Sequence, residues 1–146
     1  MAFNRRVAVA VLGIGFGGFG LLLSAQSVET FKARLSAMPA DAKTRADLAG
    51  SGSVSAALSG TKLTITGSFD GLRAAATVAS LHTSDVAGMR GPAVADLTIS
   101  KATNGTITGT VELTPQQTTS LRKGGLYVQI HSEKASDGVL WGWLLK

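Results

Sequence analysis

The chain has 146 residues, room for one domain plus appendages, and with 45% hydrophobic and 16% charged residues its bulk is not a disordered polymer. It contains no cysteine, which excludes disulfides, iron–sulfur clusters, c-type haem attachment and thiol nucleophiles. The formal net charge is +5, and without Arg5 and Arg6 there remain 12 basic and 9 acidic residues, with no basic run longer than Arg122-Lys123, which argues against nucleic-acid binding.

Met1 to Arg6 is a short basic lead, and Val7 to Leu23 is a run of 17 uncharged residues. Ser24-Ala-Gln-Ser27 follows, with small residues at a spacing suited to signal peptidase. Residues 1–26 therefore read as a signal peptide, or as an uncleaved membrane anchor through residues 7–23. Five glycines in that run weaken the anchor alternative. Either way the basic lead sends the rest of the chain across the membrane. Residues 27–50 read as a helical connector. Val28, Phe31 and Leu35 fall on one helical face, Ser27 offers a cap, and Pro39-Ala-Asp41 breaks the pattern.

Residues 51–146 alternate between strand and turn signals. Strands are predicted over 52–58, 62–68, 75–81, 93–99 and 106–113, with turns at Ser59-Gly60-Thr61 and Asn104-Gly105. Thr114-Pro115-Gln116-Gln117 places a cap residue, an N1 proline and a capping-box glutamine in order, which predicts a short helix ending near Lys123. Leu126, Val128 and Ile130 then alternate with Tyr127, Gln129 and His131 in a two-faced strand. Ser132 to Gly138 reads as the turn, ending in Asp-Gly, and a last strand starts at Val139. In that strand Val139, Trp141, Trp143 and Leu145 share one face and Leu140, Gly142 and Leu144 the other. Both faces are apolar, the mark of a strand covered on two sides, and Gly142 makes room for a neighbouring backbone or ring. The whole is all-β: a β-sandwich of about seven strands with Greek-key links and one short helix.

Several motifs resemble a known family. Gly67-Ser-Phe-Asp-Gly-Leu72, Gly91-Pro-Ala-Val94, Gly105-Thr-Ile-Thr-Gly109, Leu113-Thr-Pro115 and Gly125-Leu-Tyr-Val-Gln-Ile-His131, followed by Asp137-Gly-Val-Leu-Trp-Gly-Trp-Leu144, occur in the order found in CHRD (chordin-type) domains. The likeness covers roughly residues 50–146, and the Trp-Gly-Trp ending is similar to a bacterial exported subgroup. The resemblance implies a β-sandwich, export to the periplasm and association with exported redox enzymes.

His82 and His131 are the chain's two histidines. In CHRD relatives the third strand often ends in His-x-His. Here the tripeptide is Ser80-Leu81-His82, so the pair is broken. If the two strand ends are neighbours, His82 and His131, with Asp85 or Glu133, form a candidate copper or zinc site. The alternative is that both histidines bond loop backbone. Tyr127 and the tryptophans are either core or a ligand surface. There is no nucleophile-elbow Gly-x-Ser-x-Gly, no phosphate-binding glycine loop and no calcium-loop spacing. The expectation is a non-enzymatic, exported (periplasmic) accessory or interaction module with no cofactor. Its partner would be a protein, such as a membrane or periplasmic redox enzyme. The second reading is a copper- or zinc-binding protein using His82 and His131.

Overall fold

The computed structural model describes residues 27–146, so the leader or anchor expected over 1–26 lies outside the described residues. Eight strands are present among the described residues: β1 (Glu29–Ala37), β2 (Ser51–Ser59), β3 (Lys62–Asp70), β4 (Ala76–Thr83), β5 (Ala93–Ile99), β6 (Gly105–Glu112), β7 (Leu126–Ser132) and β8 (Ala135–Trp143). One helix, α1 (Pro115–Arg122), links β6 to β7. All strand pairs are antiparallel, in the order β1-β2-β3-β6-β5-β4-β7-β8, and β8 returns to β1.

This corrects the expected architecture in two ways. The fold is all-β, but it is a closed barrel of eight strands and not a seven-stranded Greek-key sandwich. The extra strand comes from the segment expected to be a helical connector. Phe31, Ala33 and Leu35 are buried at every second residue, while Lys32 and Arg34 point out and Val28 is exposed. That is the period of a strand and not of a helix. β1 pairs with β2 from Glu29↔Leu58 to Leu35↔Gly52. On its other side it meets β8 at Ser36↔Trp141 and Ala37↔Leu140, and Lys32 meets Leu145. Left alone, β2 and β8 would be open edges; β1 covers both, and closure removes the free edges a sandwich would keep.

After β1, Met38 is buried and donates its N–H to the Val139 carbonyl at 3.0 Å. The Asp41 carboxylate accepts the N–H groups of Lys43 and Thr44 at 2.8 and 2.9 Å, and these bonds, chiefly those from Thr44, hold its carboxyl below the usual range. β1 ends before Pro39, and residues 42–47 form turns and not a helix.

The barrel interior is one cluster. It is built from alternate residues such as Val54, Leu58, Leu63, Ile65, Leu81, Ile107, Val128, Ile130, Leu140 and Leu144, with Leu121 of α1 among them. α1 starts as its sequence predicts. Thr114 accepts from the Gln117 N–H at 3.2 Å, and the Gln117 side chain accepts from the Thr114 N–H at 2.9 Å. The last hairpin is tighter than expected. Its turn is Glu133-Lys134, with Ser132 opposite Ala135, and Asp137-Gly138 lies inside β8. Gly142 does face a neighbouring backbone: an added Cβ there would strike the Arg34 carbonyl of β1.

Among the described residues, one ion cluster joins β1, α1 and Lys146 at one end of the barrel. Glu29 at the start of β1 binds Arg122 of α1 at 2.9 Å and Lys146 at 3.0 Å. Hydrogen bonds from Arg122, then Lys146, hold its carboxyl down to a pKa of about 2.

Candidate functional site

The outer surface of β4, β7 and β8 carries both histidines, the tyrosine and both tryptophans of the chain. Alternation sends Leu81, Val128 and Leu140 inward, so the opposite parity points out. The ladder then sets the rungs: His82 opposite Tyr127 opposite Trp143, Ser80 opposite Gln129 opposite Trp141, and Val78 opposite His131.

Four rings form a continuous stack on this face. His82 stacks on Tyr127 with centroids 5.0 Å apart, and Tyr127 stacks on Trp143 at 4.6 Å. Trp141 meets Trp143 edge-on at 4.8 Å and Tyr127 at 5.9 Å. Such pairs contribute about 0.5–1.5 kcal/mol each beyond the area they bury. Tyr127 is fully covered, whereas Trp141 and Trp143 stay half-buried. The tryptophans are therefore not in the barrel core, where Leu140 and Leu144 sit instead.

The β4–β5 loop straps this face. The Gly91 N–H donates to the Tyr127 hydroxyl at 2.9 Å, and Arg90 donates to the Asp137 carbonyl. Trp143 Nε1 and Ser132 Oγ are buried with no hydrogen-bond partner among the described residues.

The hydrogen bonds define the protons of both histidines. His82 Nδ1 lies 2.9 Å from the Gly91 carbonyl and His131 Nδ1 lies 2.8 Å from the Ser136 carbonyl. A carbonyl only accepts, so Nδ1 carries the hydrogen in each ring. Nε2 is then the acceptor: of the Ser80 hydroxyl at 2.7 Å in His82, and of the Gln129 amide at 3.2 Å in His131. Gln129 also donates to the Asp137 carbonyl at 3.2 Å. The serine that interrupts the His-x-His pattern thus serves the remaining histidine as a hydrogen-bond donor.

His82 and His131 share a face but stand at opposite ends of the Ser80–Gln129 rung, four residues apart along the ladder. At about 3.3 Å per residue that is roughly 13 Å. Asp85 is exposed in the β4–β5 loop and Glu133 is exposed in the last turn. Among the described residues no three His, Asp or Glu side chains gather at one point. A groove lined by Lys32, Arg34, Ser53, Ser68, Asp70 and Thr106 lies on the β1–β2–β3–β6 face, away from both histidines.

A model of the CHRD domain matches residues 31–144, nearly the whole described chain. The chain belongs to the CHRD domain family. The match begins inside β1, so this CHRD domain takes in the strand that the sequence motifs, starting near residue 50, left outside. No curated protein and no solved structure matches the chain. Sequence reasoning found Tyr127, Gln129 and His131 on one face by their alternation. It missed Arg90, whose contact with Asp137 joins segments distant in sequence, and it missed Ser80 as a partner of His82, although i, i+2 spacing on one strand puts both on one face.

Proposed function

We propose that this CHRD barrel is a non-enzymatic interaction module, exported and held in the cell envelope, whose outer β4–β7–β8 face takes a protein partner. The observation that carries this is the ring stack of Tyr127, Trp141 and Trp143 outside the barrel core, with the two indoles half-buried beside the strapped Gln129–His131 pair. Tryptophan and tyrosine are the residues that most often anchor protein interfaces. The similarity to a bacterial exported subgroup favours a membrane or periplasmic redox enzyme as the partner.

Catalysis by the Ser80–His82 pair is disfavoured on access. The pair has the spacing of a nucleophile and its base, but Ser80 is only 4% exposed, so a substrate carbonyl cannot reach its oxygen. A copper or zinc site on His82 or on His131, each singly because about 13 Å along the ladder separates the two rings, is the second reading. Its support is that both Nδ1 atoms are pinned by backbone carbonyls, which is how a protein presets Nε2 as a ligand.

The test is affinity capture of the full chain from gently solubilised envelopes, with metal analysis of the same sample. The first reading expects a stoichiometric protein partner that is lost in Trp141→Ala. One bound copper or zinc per chain, lost in His131→Ala, with no partner, would replace it with the second.

A further inference from the structure

The barrel end where the chain enters β1 has a surface chemistry distinct from its sides. Glu29 draws Arg122 and Lys146 together there, and Ser27, Glu29, Leu58, Gly60 and Arg122 line one depression. Two large apolar side chains are left in the open at this end. Val28 is 60% exposed and Leu145 is 56% exposed. Leu145 lies on the rung of Lys32 and reaches the Gly124 backbone at the end of α1.

Cations surround them. Lys32, Arg122, Lys123 and Lys146 stand here against Glu29 and Asp85, the latter next to Ser84, whose N–H donates to the Gly125 carbonyl at 2.8 Å. Lys62 and Glu112 face each other further round the same rim and cancel. Lys32 and Lys123 form no ion pair among the described residues. Apolar tips within a ring of lysine and arginine are the surface that settles into an anionic headgroup layer.

The preceding sequence says what covers this end. The uncharged run 7–23 stops four residues before Ser27. Four residues span at most about 14 Å. With that run kept in a bilayer, this barrel end cannot lie far from the headgroups.

The geometry points to a lipid-docking surface: the barrel end bearing Val28, Leu145, Lys32, Arg122, Lys123 and Lys146 rests on an anionic membrane. This rests on residues 7–23 remaining as an anchor. The barrel would then stand end-on, with the Glu133-Lys134 turn pointing away and the β4–β7–β8 face upright beside the membrane, open to a neighbouring envelope protein.

The absence of cysteine makes the test direct. Single cysteines at Leu145→Cys, Val78→Cys and Lys134→Cys in the full chain carry an environment-sensitive fluorophore. Val78 is another exposed apolar residue, near the far end of β4, and Lys134 lies about 36 Å from Leu145 along the β8 path. The chain is reconstituted in vesicles of phosphatidylcholine alone and of phosphatidylcholine with phosphatidylglycerol. The expected result is a blue shift and quenching by brominated lipid at position 145, strongest in the anionic vesicles, with neither at 78 or 134. Lys123→Glu should weaken the preference for anionic vesicles about fivefold or more. If the chain floats with the vesicles but 145 behaves like 134, the docking surface is wrong and the anchor stands. If the chain does not float with vesicles at all, both fall.

Discussion

Replacing Gly142 by alanine probes the closure of the barrel at the seam where β8 meets β1. The added methyl carbon would run into the Arg34 carbonyl oxygen and sit 3.0 Å from Cδ2 of Leu35. The Arg34 oxygen is backbone, so the clash is relieved only by moving β1 away from β8. Overpacking of this kind costs about 1–3 kcal/mol. For a domain of this size that lowers Tm by roughly 4–15 °C. Gly109→Ala is the matched control. Its methyl would lie 2.6 Å from Cδ2 of Leu97, the free end of a side chain, and 3.7 Å from that residue's Cα and Cβ. Rotating one leucine off its preferred angle costs about 0.5–1.5 kcal/mol. Urea titrations of both variants, compared at unchanged slope, give the two costs. If Gly142→Ala is as stable as the parent, or costs less than Gly109→Ala, then residues 29–37 do not lie across β8 and the barrel is not closed as described.

Other consequences are as specific. Glu29 has its carboxyl lowered from 4.5 to about 2, so it contributes stability at and above about pH 4.5 that is lost as the pH falls through about 2. Thermal melts should therefore show Glu29→Gln lowering Tm at pH 7, with the difference shrinking as the pH falls toward 2 and vanishing below it. Tyr127→Phe removes the acceptor of the Gly91 N–H and should cost about 1–2 kcal/mol, with faster proteolysis in the 84–92 loop than elsewhere. Nitrogen NMR shifts of both imidazoles at alkaline pH should show the hydrogen on Nδ1; hydrogen on Nε2 in either ring would contradict the bonds to Gly91 and Ser136.

Much of the fold was legible locally. Thr114, Pro115 and Gln117 announce α1 because a capping box is complete within four residues. β2 to β7 follow from alternation and glycine turns. β1 was hidden because Val28, Phe31 and Leu35 also fit a helical stripe, and Ala33, small and weakly apolar, did not tip the balance. What makes β1 a strand is its pairing with β2 and β8, contacts distant in sequence. Closure is hidden for the same reason.

The site was half legible. Alternation put Tyr127, Gln129 and His131 together, but β8 is apolar on both faces, so its pattern alone could not say which face is the core. Gly142 held that information, since a glycine wedged against β1 belongs to the inner set with Leu140 and Leu144. The separation of His82 from His131 depended on register. Asp137-Gly138 reads as the turn, yet Glu133-Lys134 makes it, because the His131 ring and the Gln129 amide bond the backbone of Ser136 and Asp137 and hold that stretch against β7.

The most direct test of the proposed role is a photo-cross-linking residue at position 141 in the full chain, expressed at its natural level, with Thr64 on the far side of the barrel as the control. Trp141 belongs to the outer ring stack, and Thr64 is exposed on β3. A partner seated on the β4–β7–β8 face predicts one dominant protein adduct from 141 and none from 64. Equal adducts from the two positions, or none from 141, would contradict an interaction module working through this face.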